Sequence, residues 1–242
     1  MKKLLNKIYS VRFVLVGFIL VTETYLVTIV LHTLFGKRIV PFLRVFYKYN
    51  SKLILLLQGT YPSIKGKAPE GTYIYCMNHQ SQLDIVISLA YLPAGFVFVA
   101  KEELLKTPMI GGLIKRAGYL TINRANARRS SETLDKIKEE LGKGNSVLVF
   151  PEGTRSLDGN IQKVKRGGLQ VAFQTSTPIV PVVNDPVYKI FKKGAKGASY
   201  QKIQSVIGTP VTFDWNNTAR DYSLESAAKI ESIMKEMLAS IR

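Results

Sequence analysis

Cysteine and histidine are scarce in this 242-residue sequence, which contains only Cys76, His32 and His79. A single cysteine excludes an intramolecular disulfide. One cysteine and one histidine outside the apolar N-terminal segment are too few for a site of soft metal ligands, so we expect no metal and no other cofactor. The sequence also lacks the Gly-x-Ser-x-Gly pattern of a serine hydrolase elbow.

Acidic residues are also few: 17 Asp and Glu stand against 34 Lys and Arg, giving a net charge of +17. Such a charge indicates an anionic partner, which is a nucleic acid, an anionic lipid or a phosphorylated substrate. Residues 1–60 hold nine Lys or Arg and one acid, Glu23, yet they are among the most apolar in the chain. A segment that is both basic and apolar favours membrane phospholipids as the partner and argues against nucleic acid.

The N-terminal segment is predicted to form two helices. Phe13–Phe35 contains no Lys or Arg over 23 residues, and as a helix it would be roughly 34 Å long, enough to cross a bilayer core of about 30 Å. In Ile39–Gln58, Arg44, Lys48 and Lys52 recur every four residues beside a broad apolar face. This pattern is typical of an interfacial helix, although a core helix with a solvated charged face would share it. We therefore predict two helices lodged in one leaflet, with a single true span as the alternative.

From about Thr60 onwards, short β-rich apolar runs alternate with helical stretches. The predicted strands are Tyr73–Met77, Phe96–Ala100, Tyr119–Asn123, Val147–Phe150 and Ile179–Val183, with a further pair in Ile203–Ile207 and Pro210–Phe213. The predicted helices are Ile85–Tyr91, Glu102–Lys115, Ser131–Leu141, Gly167–Thr175 and Ser223–Ile241. The alternation predicts an α/β fold with a mixed, largely parallel sheet flanked by helices. The chain is thus divided into a membrane-associated segment, residues 1–58, and an α/β domain, residues 59–242.

His79 is the candidate general base, because it directly follows the first strand predicted for the α/β domain. Asp84 lies five residues further on, too far around a continuous helix to stack on His79. If His79 lies in the turn before the helix and Asp84 in its first turn, the carboxylate can hold the imidazole, as the acid of a catalytic triad does. The alternative is a carboxylate that only favours a helix N-terminus.

Three cations follow or end predicted strands: Lys101, Arg124 and Arg155. Arg155 lies in Phe150–Ser156, where Gly153 lets backbone N–H groups approach an anion. Cations at strand ends can converge on one phosphate, for which the arginine fork is well suited. Scattered surface charge is the alternative.

Four sequence blocks occur in order, at sensible intervals. They are NHQSQLD with His79 and Asp84, GYLTINR ending in Arg124, FPEGTRS with Glu152, Gly153, Thr154 and Arg155, and IVPVV with Pro181. Over roughly residues 60–215 the chain resembles the glycerolipid acyltransferase family, specifically its bacterial-type lysophosphatidic acid acyltransferases. One departure is Asn123, where members of the family often carry Asp before the Arg.

The resemblance implies transfer of a fatty acyl chain from acyl-CoA or acyl carrier protein to the sn-2 hydroxyl of lysophosphatidic acid, without an acyl-enzyme. His79 and Asp84 would form the general-base pair. The implied contacts to the acceptor come from Lys101, Arg124, Glu152, Gly153, Thr154 and Arg155, and Pro181 is assigned to the acyl or donor pocket. Since the donor is made in the cytoplasm, the enzyme is expected on the cytoplasmic face of the cell inner membrane.

Other functions remain open at this point. Within the enzyme class, the acceptor could be glycerol 3-phosphate or another lysophospholipid. A lipid hydrolase with Ser81 or Cys76 as nucleophile is a second class. A non-enzymatic basic protein that binds membranes is a third, permitted by the net charge alone.

Overall fold

A central sheet of short strands organises the fold. The computed structural model describes residues 2–123, 127–192, 194, 197–217 and 220–242. Within these residues seven strands form one sheet, in the order β1-β7-β6-β2-β5-β3-β4. The strands are β1 (Ser63–Lys65), β2 (Ile74–Met77), β3 (Val97–Lys101), β4 (Leu120–Ile122), β5 (Val147–Val149), β6 (Ile179–Asp185) and β7 (Gln204–Ile207). All neighbouring pairs are parallel except β6 and β7, which confirms the mixed, largely parallel sheet.

Helices cover this sheet and precede it. They are α1 (Lys2–Phe35), α2 (Val40–Gln58), α3 (Leu83–Tyr91), α4 (Ile110–Arg116), α5 (Ala127–Gly142), α6 (Arg166–Thr175), α7 (Val187–Ile190) and α8 (Arg220–Ala239). The helix predicted over Glu102–Lys115 is divided into a 3-10 turn, Glu102–Lys106, and α4. The break lies at Thr107, which is extended because it precedes Pro108.

One strand was not predicted, and one predicted strand is absent from the sheet of the described residues. Strand β1 escaped notice because it has three residues and is largely exposed, so it lacks an apolar run. The segment predicted as a strand over Pro210–Phe213 forms only an isolated antiparallel bridge, between Val211 and Ile179.

Strand β2 separates the two halves of the core because its successive side chains point to opposite faces of the sheet. Tyr75 and Met77 pack on one side, in a cluster that includes Leu43 of α2. Cys76 packs on the other side with Ile230 of α8. All four residues of β2 are buried, as expected for a central parallel strand covered on both faces.

Arg44 and Lys48 of the basic stripe of α2 face the protein, so their predicted orientation towards a membrane was wrong. Arg44 is buried, and its guanidinium donates to the carbonyl oxygen of Ala117 at the end of α4 (3.2 Å). Lys48 donates to the carbonyl oxygen of Leu92 at the end of α3 (3.0 Å), while Lys52 is half-buried. The last carbonyl groups of a helix have no N–H donor within that helix. Arg44 and Lys48 supply donors to two such carbonyl groups.

The outward surface of α1 and α2 is apolar instead. Its exposed large side chains are Leu4, Leu5, Ile8, Val11, Val14, Leu15, Phe18, Ile19, Leu26, Val30, Leu34 and Phe35 on α1, and Phe42, Val45, Tyr49, Leu53, Leu56 and Leu57 on α2. By length and composition a helix of this segment could also cross a membrane, since an 18-residue window within it has a mean hydropathy of 2.3. An exposed apolar surface of this extent favours membrane association.

Candidate active site

His79 and Asp84 meet where the chain passes from β2 into α3. A five-residue loop separates Met77, the last residue of β2, from Leu83, the first residue of α3. His79 lies in this loop and Asp84 in the first turn of α3, with 3.0 Å between the imidazole Nδ1 and the carboxylate Oδ2. The structure thus brings the two residues together in the arrangement that a base and its orienting acid require.

The same carboxylate oxygen also closes the loop. Asp84 is fully buried, and its Oδ2 accepts the backbone N–H groups of Gln80 (2.7 Å) and Ser81 (2.8 Å). An ionised carboxylate only accepts hydrogen bonds, so Nδ1 of His79 must donate its proton to Asp84. The lone pair of the neutral imidazole is therefore on Nε2, the nitrogen that is left for a substrate.

The loop after β5 packs on the imidazole because β5 is the sheet neighbour of β2. The rings of Phe150 and His79 are stacked, with centroids 4.0 Å apart and planes at 26°. The backbone N–H of Ser156 donates to the carbonyl oxygen of His79 (2.7 Å). The side chain of His79 remains 19% exposed, so the ring is held on one face and is still accessible.

His79 lines a pocket of about 540 Å³, a volume typical of ligand sites. Its apolar wall is formed by residues of α1 to α4, β3 and the 3-10 turn Glu102–Lys106, including Val21, Ile54, Ile85, Leu89, Phe98, Leu104, Leu113 and Ile114. Its polar lining includes Lys101, Gly153, Thr154 and Arg155, which follow or end β3 and β5 at the same edge of the sheet as His79, and also Thr24, Asn50 and Ser51 of α1 and α2. A largely apolar pocket with cationic side chains at the sheet edge fits an amphiphile with a charged head.

The predicted phosphate ligands differ in their surroundings. Arg155 lines the pocket, and in the part of the chain that the structure describes no carboxylate lies within ion-pair distance of its guanidinium. Lys101 also lines the pocket, but its Nζ lies 2.9 Å from the carboxylate of Glu103. Gly153 adopts a positive φ of 76°, which favours glycine at this turn. Arg124 lies outside the described residues.

The comparisons with known proteins agree with this geometry. Residues 62–185 match the family model described as Acyltransferase, which is half of the chain. The chain belongs to the acyltransferase family. Among solved structures it is similar to the 1-acyl-sn-glycerophosphate acyltransferase PlsC of Thermotoga maritima, with 23% identity, a TM-score of 0.82, and coverage of 100% of this chain and 98% of that one. This likeness confirms the acyltransferase fold.

Several curated relatives are named 1-acyl-sn-glycerol-3-phosphate acyltransferase. The coconut protein is 30% identical over 73% of this chain and 58% of its own length. The chloroplastic LPAT1 of Arabidopsis thaliana is 30% identical over 86% of this chain and 60% of its own, and the Saccharomyces cerevisiae protein is 31% identical over 70% and 56%. The chain thus spans about three fifths of the length of these relatives.

Glu152, predicted to contact the acceptor, instead connects two backbone segments of the acyltransferase domain. It is 1% exposed, and it is not among the residues that line the pocket. Its Oε1 accepts the backbone N–H of His79 (2.8 Å), and its Oε2 accepts that of Gln162 (3.0 Å). Burial raises the pKa of this carboxyl to about 7, and the two backbone hydrogen bonds act in the opposite direction. Its side chain fixes the backbone of His79 from behind the pocket.

Pro181, predicted to belong to the acyl or donor pocket, does not line it. It lies in β6 opposite Cys76 of β2. Its carbonyl oxygen accepts the N–H of Gly208, and its ring packs where a side chain at Gly208 would be. Pro181 is therefore a packing residue in the centre of the sheet.

The two possible nucleophiles of a hydrolase are both buried. Ser81 is 0% exposed, and its hydroxyl donates to the carbonyl oxygen of Phe191 (2.8 Å). Cys76 is 0% exposed in the core, and burial raises the pKa of its thiol above the usual range. Neither residue lines the pocket, so the geometry gives no support to a covalent intermediate.

Sequence reasoning missed the residues that hold the loop between β2 and α3, residues 78–82, from outside the pocket. This loop carries His79 and is called the catalytic loop below. Asn78 is one of the residues that hold it: its Nδ2 donates to the carbonyl oxygen of Asn184 (3.0 Å), and its Oδ1 accepts the N–H of Asn184 (2.8 Å). The available signal was a run of polar residues, from Asn78 to Gln82, that directly follows a buried strand. Such residues remain buried only where they find hydrogen-bond partners.

Proposed function

We propose that this protein transfers a fatty acyl chain from an acyl thioester to the sn-2 hydroxyl of lysophosphatidic acid, producing phosphatidic acid. The observation that carries the proposal is the His79–Asp84 pair at the sheet edge of a largely apolar pocket. The names of the plant and yeast relatives support lysophosphatidic acid as the acceptor.

The reaction needs one proton transfer in each direction. Nε2 of His79 takes the proton of the acceptor hydroxyl while its oxygen attacks the thioester carbonyl carbon. Asp84 stabilises the imidazolium that forms. The tetrahedral intermediate then expels the thiolate, and the thiol product carries away the proton held by His79. The thioester is itself the activated donor, so this chemistry requires no metal or other cofactor.

Binding follows from the apolar wall of the pocket and the cations at the sheet edge. The apolar wall takes an acyl chain, whose burial contributes about 0.8 kcal/mol per methylene. Arg155, with Lys101 beside it, receives the acceptor phosphate, since a guanidinium can form two parallel hydrogen bonds to phosphate oxygens. Either acyl-CoA or acyl carrier protein can supply the same thioester carbonyl, and both are retained as candidate donors.

We further propose that the apolar outer surface of α1 and α2 lies in one leaflet of the cell inner membrane, with the α/β domain on the cytoplasmic face. The exposed apolar side chains of both helices support this arrangement. The acceptor is an amphiphile whose hydroxyl lies near the headgroup plane. A site docked at that plane can acylate it without extracting its whole acyl chain into water.

A panel of acceptors tests this function. Purified protein in phospholipid vesicles is given labelled acyl-CoA or acyl carrier protein, with lysophosphatidic acid, glycerol 3-phosphate or lysophosphatidylcholine. We expect phosphatidic acid as the main product and a loss of about two to four orders of magnitude for His79→Ala. Faster acylation of glycerol 3-phosphate, release of free fatty acid in place of transfer, or an acyl-enzyme trapped by mass spectrometry would contradict the proposal.

A further inference from the structure

Gln80, the residue after the candidate base, binds the loop at Gly159, the end of β6 and the start of α7. It is 1% exposed, and its Nε2 donates to the carbonyl oxygen of Gly159 and to Oδ1 of Asp185, both at 3.0 Å. Its Oε1 accepts the backbone N–H of Tyr188 (3.2 Å). Its own backbone N–H donates to Asp84. The position of Gln80 therefore depends on Gly159 and Asp185, which lie outside the catalytic loop.

Arg242, which follows α8, binds the same two residues. Its Nε and Nη2 each donate to one carboxylate oxygen of Asp185, both at 3.1 Å. Nη2 also donates to the carbonyl oxygen of Gly159 (2.9 Å), and Nη1 donates to Oδ1 of Asn160 (2.9 Å). One guanidinium thus fixes both acceptors of the Gln80 side-chain amide.

The geometry of this contact requires a guanidinium. The planar fork of Arg242 reaches both oxygens of Asp185 while a third hydrogen bond goes to Gly159, and an ammonium group cannot reproduce that arrangement. The carboxylate of Asp185 is only 9% exposed, so water cannot fully replace its counter-ion. A Cβ atom at Gly159 would come within 3 Å of Tyr188 and Arg242, which leaves little space for the loop to rearrange.

We infer that Arg242 is a positioning residue for acyl transfer, acting through Asp185, Gly159 and Gln80 on the loop that carries His79. Arg242 does not line the pocket, so it influences the placement of the base and not the binding of either substrate. The inference rests on the proposed function, because a general base must be placed accurately with respect to the attacking hydroxyl.

The test compares Arg242→Ala and Arg242→Lys with the full-length wild type in vesicles. Lys235→Ala is the matched control, because it removes an exposed cation of α8 whose ion-pair partner among the described residues is Glu231. We expect kcat to fall about tenfold in both Arg242 variants, with the KM of each substrate within about twofold of the wild-type value. Added methylguanidinium should restore part of the kcat of Arg242→Ala, and it should not restore His79→Ala.

Three results would overturn the inference. They are an unchanged kcat in folded Arg242→Ala, a full rescue by Lys, or a loss of activity that equals the loss of folded protein and does not respond to methylguanidinium. Failure of the proposed function is distinguishable, since the wild type itself would then not acylate lysophosphatidic acid. In that case hydrogen exchange tests the inference without an activity assay. The backbone amides of Gln80 and Ser81 should exchange faster in Arg242→Ala than in Lys235→Ala, and equal rates would refute the inference.

Discussion

Replacing Asp84 with Asn removes the negative charge of this side chain and keeps its shape, so the variant measures the contribution of the charge alone. Oδ2 of Asp84 accepts three donors: Nδ1 of His79 and the backbone N–H groups of Gln80 and Ser81. An amide NH₂ at that position would oppose two backbone donors, so the carbonyl oxygen of Asn is expected to occupy it. Nδ1 of His79 then keeps its proton, and the mutation removes only the negative charge.

The cost follows from electrostatics. Two unit charges about 4 Å apart attract by about 4 kcal/mol at an effective dielectric constant of about 20. Because the imidazolium is only partly formed in the transition state, Asp84→Asn removes about half of that attraction energy. Asp84→Asn should therefore lower kcat by roughly 10- to 100-fold. This is less than the cost of about 10⁴-fold that arises when Asn selects the wrong histidine tautomer in a catalytic triad.

The assay is acyl transfer to lysophosphatidic acid in vesicles, with initial rates measured for Asp84→Asn, Asp84→Ala and His79→Ala at saturating substrates. Asp84→Ala should be the slower of the two Asp84 variants, because it also leaves two backbone N–H groups without their acceptor. An Asn variant as inactive as His79→Ala would refute the reasoning about the amide orientation. A wild-type rate would refute the stabilisation of the imidazolium.

Three further predictions follow from the side chains around the site. Arg155→Ala should raise the KM for lysophosphatidic acid roughly ten- to hundredfold by removing a charge-assisted contact of about 1.5–3 kcal/mol. Equal changes in the KM of donor and acceptor would contradict that role. For Glu152, burial raises the pKa to about 7, so folding favours the protonated form and that stabilisation is lost as the pH rises through about 7. The Tm advantage of the wild type over Glu152→Gln should therefore shrink between about pH 5 and pH 8, and a constant difference in thermal scans would contradict this pH dependence. Arg44→Met should lower the free energy of unfolding by at least about 2 kcal/mol, since it leaves buried carbonyl groups without donors, and it should not change attachment to anionic vesicles in flotation assays.

The central strands of the sheet could be predicted well because they carry continuous apolar runs, which the edge strand β1 lacks. Ile179–Val183 falls within β6, whose seven residues are all buried, and burial on both faces produces such a run in a parallel strand. The orientation of α2 could not be predicted in this way. A stripe of Arg44 and Lys48 has the same periodicity whether it faces water or a row of backbone carbonyl groups. Only the tertiary contacts distinguish the two arrangements.

The candidate site shows a similar limit. The spacing of His79 and Asp84 allowed their contact without requiring it, and the resemblance to the family favoured it; the contact forms because a loop and the first turn of a helix bring the two residues together locally. Contacts to distant segments left no local signal: Arg242 was not singled out, and Glu152 was singled out with a different role. Arg242 is 57 residues from Asp185 in the sequence, and Glu152 is 73 residues from the backbone N–H that it binds. Their roles depend on which strands are neighbours, which the spacing of motifs does not specify.

The two N-terminal helices, whose outer surface is apolar, also form part of the interior of the protein. Phe13 of α1 and Leu55 of α2 are buried in one cluster with Leu83 and Ile87 of α3, and Leu43 belongs to the core beneath the sheet. Cutting the chain after Gln58 would therefore expose apolar surface of α3 and the sheet in addition to removing α1 and α2. A variant with less exposed apolar surface is better obtained by replacing the outward-facing apolar side chains of both helices with polar ones while the helices stay in place.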